Sequence, residues 1–199
     1  QNQTAKITPT SQIGYYEYLP PDYNSNSNNY PIVIFFHGMG ERGNGTTDLP
    51  MVAYNGPPRY VVEGYKFPFI LISPQLKASF GFWPVWYMDE VVEHVRTYLR
   101  VDPSRIYITG LSLGGGGAWE YAYNFPQKVA ALAPICGGYN TLSWACTYRS
   151  NNIPIWAFHG DADSVVPISR TTNMINAINA CTPAIIPPPI YTIYPGVWH

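Results

Sequence analysis

The segment 110–114 reads Gly-Leu-Ser-Leu-Gly, so Ser112 stands in the pattern Gly-x-Ser-x-Gly. A short β-branched and aromatic run, 105–109, precedes it, and residues 115–122 are compatible with a helix. A serine on a sharp turn between a strand and a helix exposes its hydroxyl as a nucleophile, and glycines beside it let the two elements approach closely. Because short glycine patterns also occur by chance, residues elsewhere in the chain must supply the partners of this serine.

A serine hydroxyl attacks a carbonyl efficiently only when a base accepts its proton and a carboxylate orients that base. On a strand–turn–helix scaffold of this kind, the three groups follow along the chain in the order serine, acid, histidine. The acid is expected in the segment 159–167, which follows an apolar run and contains Asp161 and Asp163. Asp163 is the predicted acid, since Asp161 lies nearest to the strand end and is expected to make a local turn hydrogen bond.

His199 is the predicted base, because it follows the last apolar run and stands after both the serine and the acid. His37 and His159 each stand at the end of an apolar run, where we expect them to brace a loop. His94 lies inside a helical pattern, which predicts a surface or half-buried position on a helix.

The negative charge that develops on the attacked carbonyl needs backbone N–H donors. One is expected from Leu113, the residue after the nucleophile, and the second from the loop 38–43, Gly-Met-Gly-Glu-Arg-Gly. Within that loop Met39 is the predicted donor and Gly40 is the alternative. A phosphate-binding loop is disfavoured, because the segment lacks the pattern Gly-x-x-x-x-Gly-Lys-Ser/Thr.

Aromatic residues indicate where a substrate would stack. The segment 81–87 contains Trp83 and Trp86, and Trp198 stands beside the predicted base. These three are the predicted substrate-binding residues, forming a platform for a sugar ring or an aromatic acyl group, with core packing beneath a loop as the alternative for 81–87. No long insertion separates Ile135 from Ile153, so we expect an open cleft rather than a tunnel beneath a lid.

Apolar runs separated by helical patterns must position these groups. Continuous apolar runs are typical of strands buried on both faces of a parallel sheet, and apolar residues at helical spacing between them indicate covering helices. We therefore predict an α/β fold, a single domain over residues 1–199 with a mostly parallel sheet of about six to eight strands and helices on both faces. An early edge strand is predicted at 14–18, further strands at 32–36, 69–72, 106–108, 129–135, 153–158 and 190–194, and helices at 89–99, 113–123 and 169–180.

The composition is that of a globular domain with few charges, since 46% of the 199 residues are hydrophobic and 12% are charged. A formal net charge of −1 gives no reason to expect nucleic acid or an anionic membrane as a partner, and no apolar run is long enough to span a membrane. Abundant Asn, Thr and Tyr with little Lys are typical of an exported protein, so we expect a secreted or periplasmic location.

The three cysteines leave one without a partner if a disulfide forms. We expect Cys136 to pair with Cys146 across a short loop, with Cys181 as a buried thiol, and three free buried thiols are the alternative. No Cys-x-x-Cys spacing is present, so a zinc site is not expected. The predicted chemistry needs neither a metal nor an organic cofactor.

Four segments occur in the order and spacing of the α/β-hydrolase superfamily, which the sequence resembles over nearly its whole length: 35–43, 72–75, 102–115 and 158–167. The resemblance is to the bacterial phospholipase/carboxylesterase and predicted-peptidase branch, related to polyhydroxybutyrate depolymerase-like and feruloyl or acetylxylan esterases. It implies the α/β-hydrolase fold and a serine esterase with Ser112 as nucleophile, Asp163 as acid and His199 as base. The chain departs from that pattern where Trp198 replaces a glycine and where the family's last helix would follow the histidine.

The leading hypothesis is a carboxylic ester hydrolase that works through an acyl-enzyme on short-acyl or carbohydrate-linked esters, either small molecules or oligosaccharides. A peptidase or amidase would use the same three residues and differ only in its leaving group, so the sequence leaves this second hypothesis open. A noncatalytic carbohydrate-binding module on the same fold is the third hypothesis. A lost member of the triad would favour it, and the sequence contains all three.

Overall fold

One mixed sheet forms the centre of the molecule. The computed structural model describes residues 3–183 and 187–199. In these ranges the strands are β1 (Thr4–Ile7), β2 (Gly14–Tyr18), β3 (Tyr30–Phe36), β4 (Ile70–Pro74), β5 (Val101–Leu111), β6 (Ala131–Ile135), β7 (Trp156–Gly160) and β8 (Ile190–Tyr194). Their order across the sheet is β1-β2-β4-β3-β5-β6-β7-β8. β2 pairs antiparallel with both β1 and β4, and the other pairs are parallel, which confirms the predicted mostly parallel sheet.

The edge of the sheet is one strand further out than predicted. β2 was expected at the edge, but β1 pairs with it from Thr4↔Glu17 to Ile7↔Gly14. All four residues of β1 are exposed, so this strand has no apolar run by which a sequence pattern could find it. Its stability comes from the backbone ladder along β2 rather than from burial of its own side chains.

Five helices cover the sheet in the described part of the chain. The predicted helix 113–123 is confirmed with one more residue, and 169–180 is confirmed as predicted, whereas the predicted helix 89–99 begins four residues earlier, directly after Pro84. None of the helices described is long and apolar enough to cross a membrane. The helices are α1 (Gly56–Val62), α2 (Val85–Tyr98), α3 (Leu113–Asn124), α4 (Ala145–Ser150) and α5 (Ser169–Ala180).

The core is divided by the sheet, because successive side chains of a strand point to opposite faces. On one face Ile34 and Phe36 of β3 join the larger cluster, which includes buried residues of α2, α3 and α5. On the other face Phe35 packs with Val61 of α1 in a smaller cluster. Helices on both faces hold the parallel strands in register, so their carboxyl ends meet at one edge of the sheet.

The disulfide joins Cys146 to Cys181 with a Cα–Cα distance of 5.6 Å, so the predicted Cys136–Cys146 pair is wrong. α4 packs against α5, which brings together two cysteines separated by 35 residues. Cys136 lies at the carboxyl end of β6 and remains a buried free thiol. The pairing depends on how two helices pack, which the short spacing along the chain does not indicate.

Candidate active site

Ser112 occupies the sharp turn between β5 and α3 with φ 55° and ψ −114°. A non-glycine residue in this region of backbone space is strained, and such strain persists only where the surroundings enforce it. The flanking glycines allow the backbones around this turn to approach closely. A Cβ on Gly114 would lie 1.9 Å from the carbonyl oxygen of Phe36, and a Cβ on Gly110 would lie 2.2 Å from the carbonyl oxygen of Gly114.

His199 reaches Ser112 from the loop after β8. Its Nε2 lies 2.6 Å from Ser112 Oγ, and its Nδ1 lies 2.7 Å from Asp163 Oδ2. Because a carboxylate only accepts hydrogen bonds, Nδ1–H donates to Asp163 and Nε2 is free to accept the hydroxyl proton of Ser112. The three predicted catalytic side chains therefore form one continuous hydrogen-bonded chain, although residues 112 and 199 lie on different strand ends.

Asp163 is buried in the loop after β7, and its Oδ1 accepts the backbone N–H groups of Val165 and Val166 at 2.9 and 2.8 Å. Burial alone would raise the pKa of the Asp163 carboxyl, but the hydrogen bonds from His199 and these two N–H groups outweigh it. The pKa lies below its usual value, so the carboxylate is ionised at neutral pH and can orient the imidazole.

Asp161 has a different partner from the one predicted. Its Oδ1 accepts the backbone N–H of Gly196 at 2.6 Å, so the hydrogen bond crosses to the loop that carries His199 instead of closing a local turn. Gly196 has φ +69°, a conformation that glycine adopts without strain. Asp161 thus attaches the histidine loop to the end of β7, while Asp163 contacts the histidine ring.

His159 and His37 brace loops around the site, as predicted from their places at strand ends. His159 Nε2 lies 2.9 Å from the carbonyl oxygen of Val166 and 3.2 Å from Asp163 Oδ2. Leu76 N–H donates to His37 Nε2 at 2.9 Å, so His37 Nδ1 carries the proton and donates to the carbonyl oxygen of Gly38 at 2.6 Å. Burial lowers the pKa of His37 to about 4, which keeps its imidazole neutral.

The predicted oxyanion donors lie where helices begin. Leu113 is the first residue of α3, and Met39 and Gly40 open the 3-10 turn Met39–Glu41. The first N–H groups of a helix have no acceptor within it and point outward, which suits them to a developing negative charge. All three residues line one cleft together with Ser112 and the base.

That cleft has a volume of about 530 Å³, within the range that encloses a small organic ligand. Its rim is open to solvent, since Met39 and Val165 are 52% and 67% exposed. Tyr139 adds a further largely apolar wall, and Glu41 and Asn55 add polar groups. The sequence did not predict four of these lining residues: Glu41, Asn55, Tyr139 and Val165. The hint that it contained was the position of Glu41 within the glycine-rich loop.

The model of the Dienelactone hydrolase family matches residues 80–199, which is more than half of the chain. The chain belongs to the dienelactone hydrolase family. This assignment confirms the resemblance to the α/β-hydrolase superfamily, and the eight-stranded sheet is the fold expected for it. The match includes the elements that carry Ser112, Asp163 and His199.

Curated relatives of this family member are esterases by name. It is 26% identical to feruloyl esterase D of Neurospora crassa over 83% of this chain and 59% of the relative. It is 28% identical to probable feruloyl esterase C of Aspergillus niger over 89% of this chain and 67% of the relative. A bifunctional acetylxylan esterase/xylanase of Neocallimastix patriciarum is 24% identical over 75% of this chain and 21% of that protein. The chain thus spans about three fifths of the first of these relatives.

Solved structures resemble the whole of this chain. A thermostable esterase superposes with a TM-score of 0.76 and 28% identity, covering 98% of this chain and 54% of that one. Acetyl xylan esterase from Aspergillus awamori superposes with a TM-score of 0.68 over 99% of this chain and 93% of that one. Its identity of 18% makes this second likeness one of fold.

In this dienelactone hydrolase family member the predicted tryptophan platform is wrong for Trp83, which is fully buried. Its indole N–H donates to the carbonyl oxygen of His37 at 3.2 Å, and its ring packs 4.9 Å from that of Phe36. Gly117 has no Cβ, which leaves room for this indole against α3. Core packing, the alternative weighed for this segment, is therefore the role of Trp83.

Trp86 and Trp198 are not among the residues that line the cleft. Trp86 is 53% exposed on α2, where its ring contacts those of Phe80 and Tyr87. Trp198 is 71% exposed, and its neighbour His199 lines the cleft while Trp198 does not. For Trp198, adjacency along the chain to His199 does not place the indole in the cleft lining, because successive residues of an extended segment point in different directions.

Cys136 stands behind the triad, a position that the sequence did not reveal. Its Sγ lies within 4.8 Å of ligand atoms of both Asp163 and His199. Burial raises the pKa of this thiol to about 11, so it is protonated at neutral pH. A buried protonated thiol packs as a small apolar group, so Cys136 fills space beside Asp163 and His199.

Proposed function

We propose that this chain is a serine carboxylic ester hydrolase that acts through an acyl-enzyme on short-acyl or carbohydrate-linked esters. The observation that carries the proposal is the hydrogen-bonded chain from Ser112 Oγ through His199 to Asp163, with contacts of 2.6 and 2.7 Å. It lies in an open cleft beside N–H groups at two helix starts. Acyl transfer requires a nucleophile, a base, an orienting acid and oxyanion donors, and these groups supply a candidate for each role.

In the proposed reaction Ser112 Oγ attacks the acyl carbonyl carbon while its proton passes to His199 Nε2. The N–H of Leu113 and that of Met39, or of Gly40, donate to the oxygen that becomes negative. His199 then protonates the leaving alcohol, and the acyl group remains on Ser112. A water molecule repeats the sequence with His199 as base, which releases the acid and restores the hydroxyl.

The substrate class rests on the shape of the cleft and on the named activities of relatives. Two relatives are feruloyl esterases by name, and a third is a bifunctional acetylxylan esterase/xylanase. The exposed rim at Met39 and Val165 suits a bulky alcohol that extends into solvent, such as a saccharide. Export of the protein belongs to the same proposal, since the Cys146–Cys181 disulfide is favoured in an oxidising compartment.

Hydrolysis of p-nitrophenyl esters from acetate to palmitate tests this function, with Ser112→Ala as the matched variant. We expect turnover on the short chains that falls by about a thousandfold or more in Ser112→Ala, because the nucleophile is lost while the cleft is retained. A p-nitroanilide with the same acyl group separates ester from amide hydrolysis. Equal rates for the wild type and Ser112→Ala, or no turnover of any ester, would contradict the proposal.

A further inference from the structure

The Glu41 carboxylate is a buried charged group in the cleft that the proposed mechanism does not use. Glu41 is 5% exposed, yet it lines the same cleft as Ser112 and His199. A Cβ placed on Gly38 would lie 3.2 Å from Glu41 Oε2 and 3.6 Å from Ser112 Cβ. The Glu41 carboxylate and the Ser112 side chain therefore flank the same residue, Gly38.

Glu41 is held in place from two sides. Its Oε1 accepts a hydrogen bond from Asn55 Nδ2 at 2.5 Å, and Asn55 also lines the cleft. Its backbone carbonyl accepts a hydrogen bond from Gln75 Nε2 at 2.9 Å. These contacts leave the side chain little freedom, so the direction of its second oxygen is fixed before a ligand arrives.

Oε2 has no comparable donor. Among the described residues, His37 is the basic group within 4.0 Å, with Nδ1 3.9 Å from Oε2, but that Nδ1–H donates to the carbonyl oxygen of Gly38 at 2.6 Å. The His37 imidazole is neutral because burial lowers its pKa to about 4, so it supplies no counter-charge. Across residues 3–183 and 187–199, no N–H or O–H group of the protein donates to Oε2 at hydrogen-bond distance.

Oε2 keeps contact with solvent in the cleft, since it is not among the fully buried polar atoms that lack a partner in the described residues. A ligand that displaces this solvent without donating a hydrogen bond leaves the oxygen unpaired, which is costly, and a carboxylate near developing negative charge also opposes catalysis. Both costs are offset when a ligand donates a hydrogen bond to that oxygen. An ionised carboxylate only accepts hydrogen bonds, so it binds a donor such as a hydroxyl and repels an anion. The surrounding wall of Leu111, Leu113 and Val166 suits a neutral ligand group.

We propose that Glu41, oriented by Asn55, binds a hydroxyl group of the substrate and selects hydroxylated esters over matched esters that lack that hydroxyl. The inference rests on the proposed ester hydrolysis and names a specificity-determining residue for it. The charged hydrogen bond is expected to favour the hydroxylated substrate by about tenfold or more in kcat/KM. No bond to Glu41 forms or breaks during the reaction.

Two substrate pairs test the proposal, each differing by hydroxyl content on one side of the ester. Methyl ferulate against methyl 3-methoxycinnamate tests the acyl side, and glycerol monoacetate against propyl acetate tests the alcohol side. We expect the wild type to prefer the hydroxylated member of at least one pair, and Glu41→Gln to reduce that preference at least fivefold. Asn55→Ala should reduce it in the same direction. Glu63→Gln, the same change at an exposed residue directly after α1, should leave the preference as it is.

The ratio within a pair separates recognition from damage to the fold. Equal wild-type kcat/KM values within both pairs, or a Glu41→Gln variant that loses both members of a pair equally, would overturn the proposal. The dissociation constants of the same esters for Ser112→Ala and for Ser112→Ala/Glu41→Gln, measured by calorimetry, test it without turnover. Tighter binding of the hydroxylated member that disappears in the double variant supports the role of Glu41 even if ester hydrolysis fails. No difference in binding refutes it.

Discussion

Asp161 and Asp163 lie two residues apart after β7, but they have different burial and different hydrogen-bond partners. Asp163 is 8% exposed and contacts the His199 ring, whereas Asp161 is exposed and accepts the N–H of Gly196. The sequence motif contains both acids and predicts Asp163 by its place after the strand. The actual partner of Asp161 lies 35 residues away, so no local pattern could supply it.

Asp163→Asn is expected to lower kcat by about a thousandfold or more, because a neutral amide neither stabilises the imidazolium nor fixes its tautomer. Asp161→Asn keeps an oxygen that can accept the Gly196 N–H, so its kcat should stay within a few-fold of the wild type. Steady-state kinetics on p-nitrophenyl acetate compare the two variants. If Asp161→Asn were the more damaging, Asp161 rather than Asp163 would be the acid.

His37 makes stability depend on pH. Its pKa falls from 6.5 in the unfolded chain to about 4 in the folded protein, so between these values only the unfolded chain binds the proton. The contribution is fully present above pH 6.5 and is lost as the pH falls toward 4, by up to about 3 kcal/mol. Urea unfolding at pH 7 and 4.5 measures this loss, which should be smaller in His37→Gln. The same loss in both proteins would assign the pH dependence to other groups.

At the scale of elements, the loop that leads from β8 to His199 packs closely against the end of β7 because Gly160 has no side chain. A Cβ on Gly160 would lie 2.1 Å from the carbonyl oxygen of Val197, and Ala162 N–H donates to that same oxygen at 3.2 Å. The close approach of the two backbones sets the distance from which His199 reaches Ser112. This constraint is invisible in the sequence, where Gly160 reads as an ordinary turn residue.

Gly160→Ala is therefore expected to displace the histidine loop and lower kcat about a hundredfold, since a shift near 1 Å misplaces the base. Gly81→Ala is the matched control, because a Cβ there meets no atom within 4 Å and should leave kcat as it is. Kinetics and thermal melting of both variants check this. A Gly160→Ala protein with wild-type kcat would show that the loop accommodates the added methyl group.

Elements were predictable where burial leaves a pattern. β3, β4 and α5 carry apolar residues at the spacing of their structure, and their places follow from it. β1 has only exposed residues, and the six-residue helix α4 is too short for a helical period to stand out. Local sequence thus predicts elements with their own buried face and misses those held by their neighbours.

At the scale of the whole molecule, chain order and strand order bring the three predicted catalytic residues together. Ser112, Asp163 and His199 follow β5, β7 and β8, whose parallel directions bring their carboxyl ends to one edge. No comparable rule predicts from the sequence which way a side chain points or which helices pack together. Trp83 therefore turned out to be core, and Cys146 paired with Cys181 across two helices.

Among the described strands, β8 is the outermost on its side of the sheet, and much of its surface is exposed. Strands of this kind open locally at a lower free energy than the core. Since β8 leads into the loop that carries His199, local opening of this strand is expected to withdraw the predicted base from Ser112 while the rest of the sheet stays folded. We therefore expect the esterase activity to depend on the pairing of β8 with β7. The activity should be lost in mild denaturant before the core unfolds, and it should be regained last during refolding.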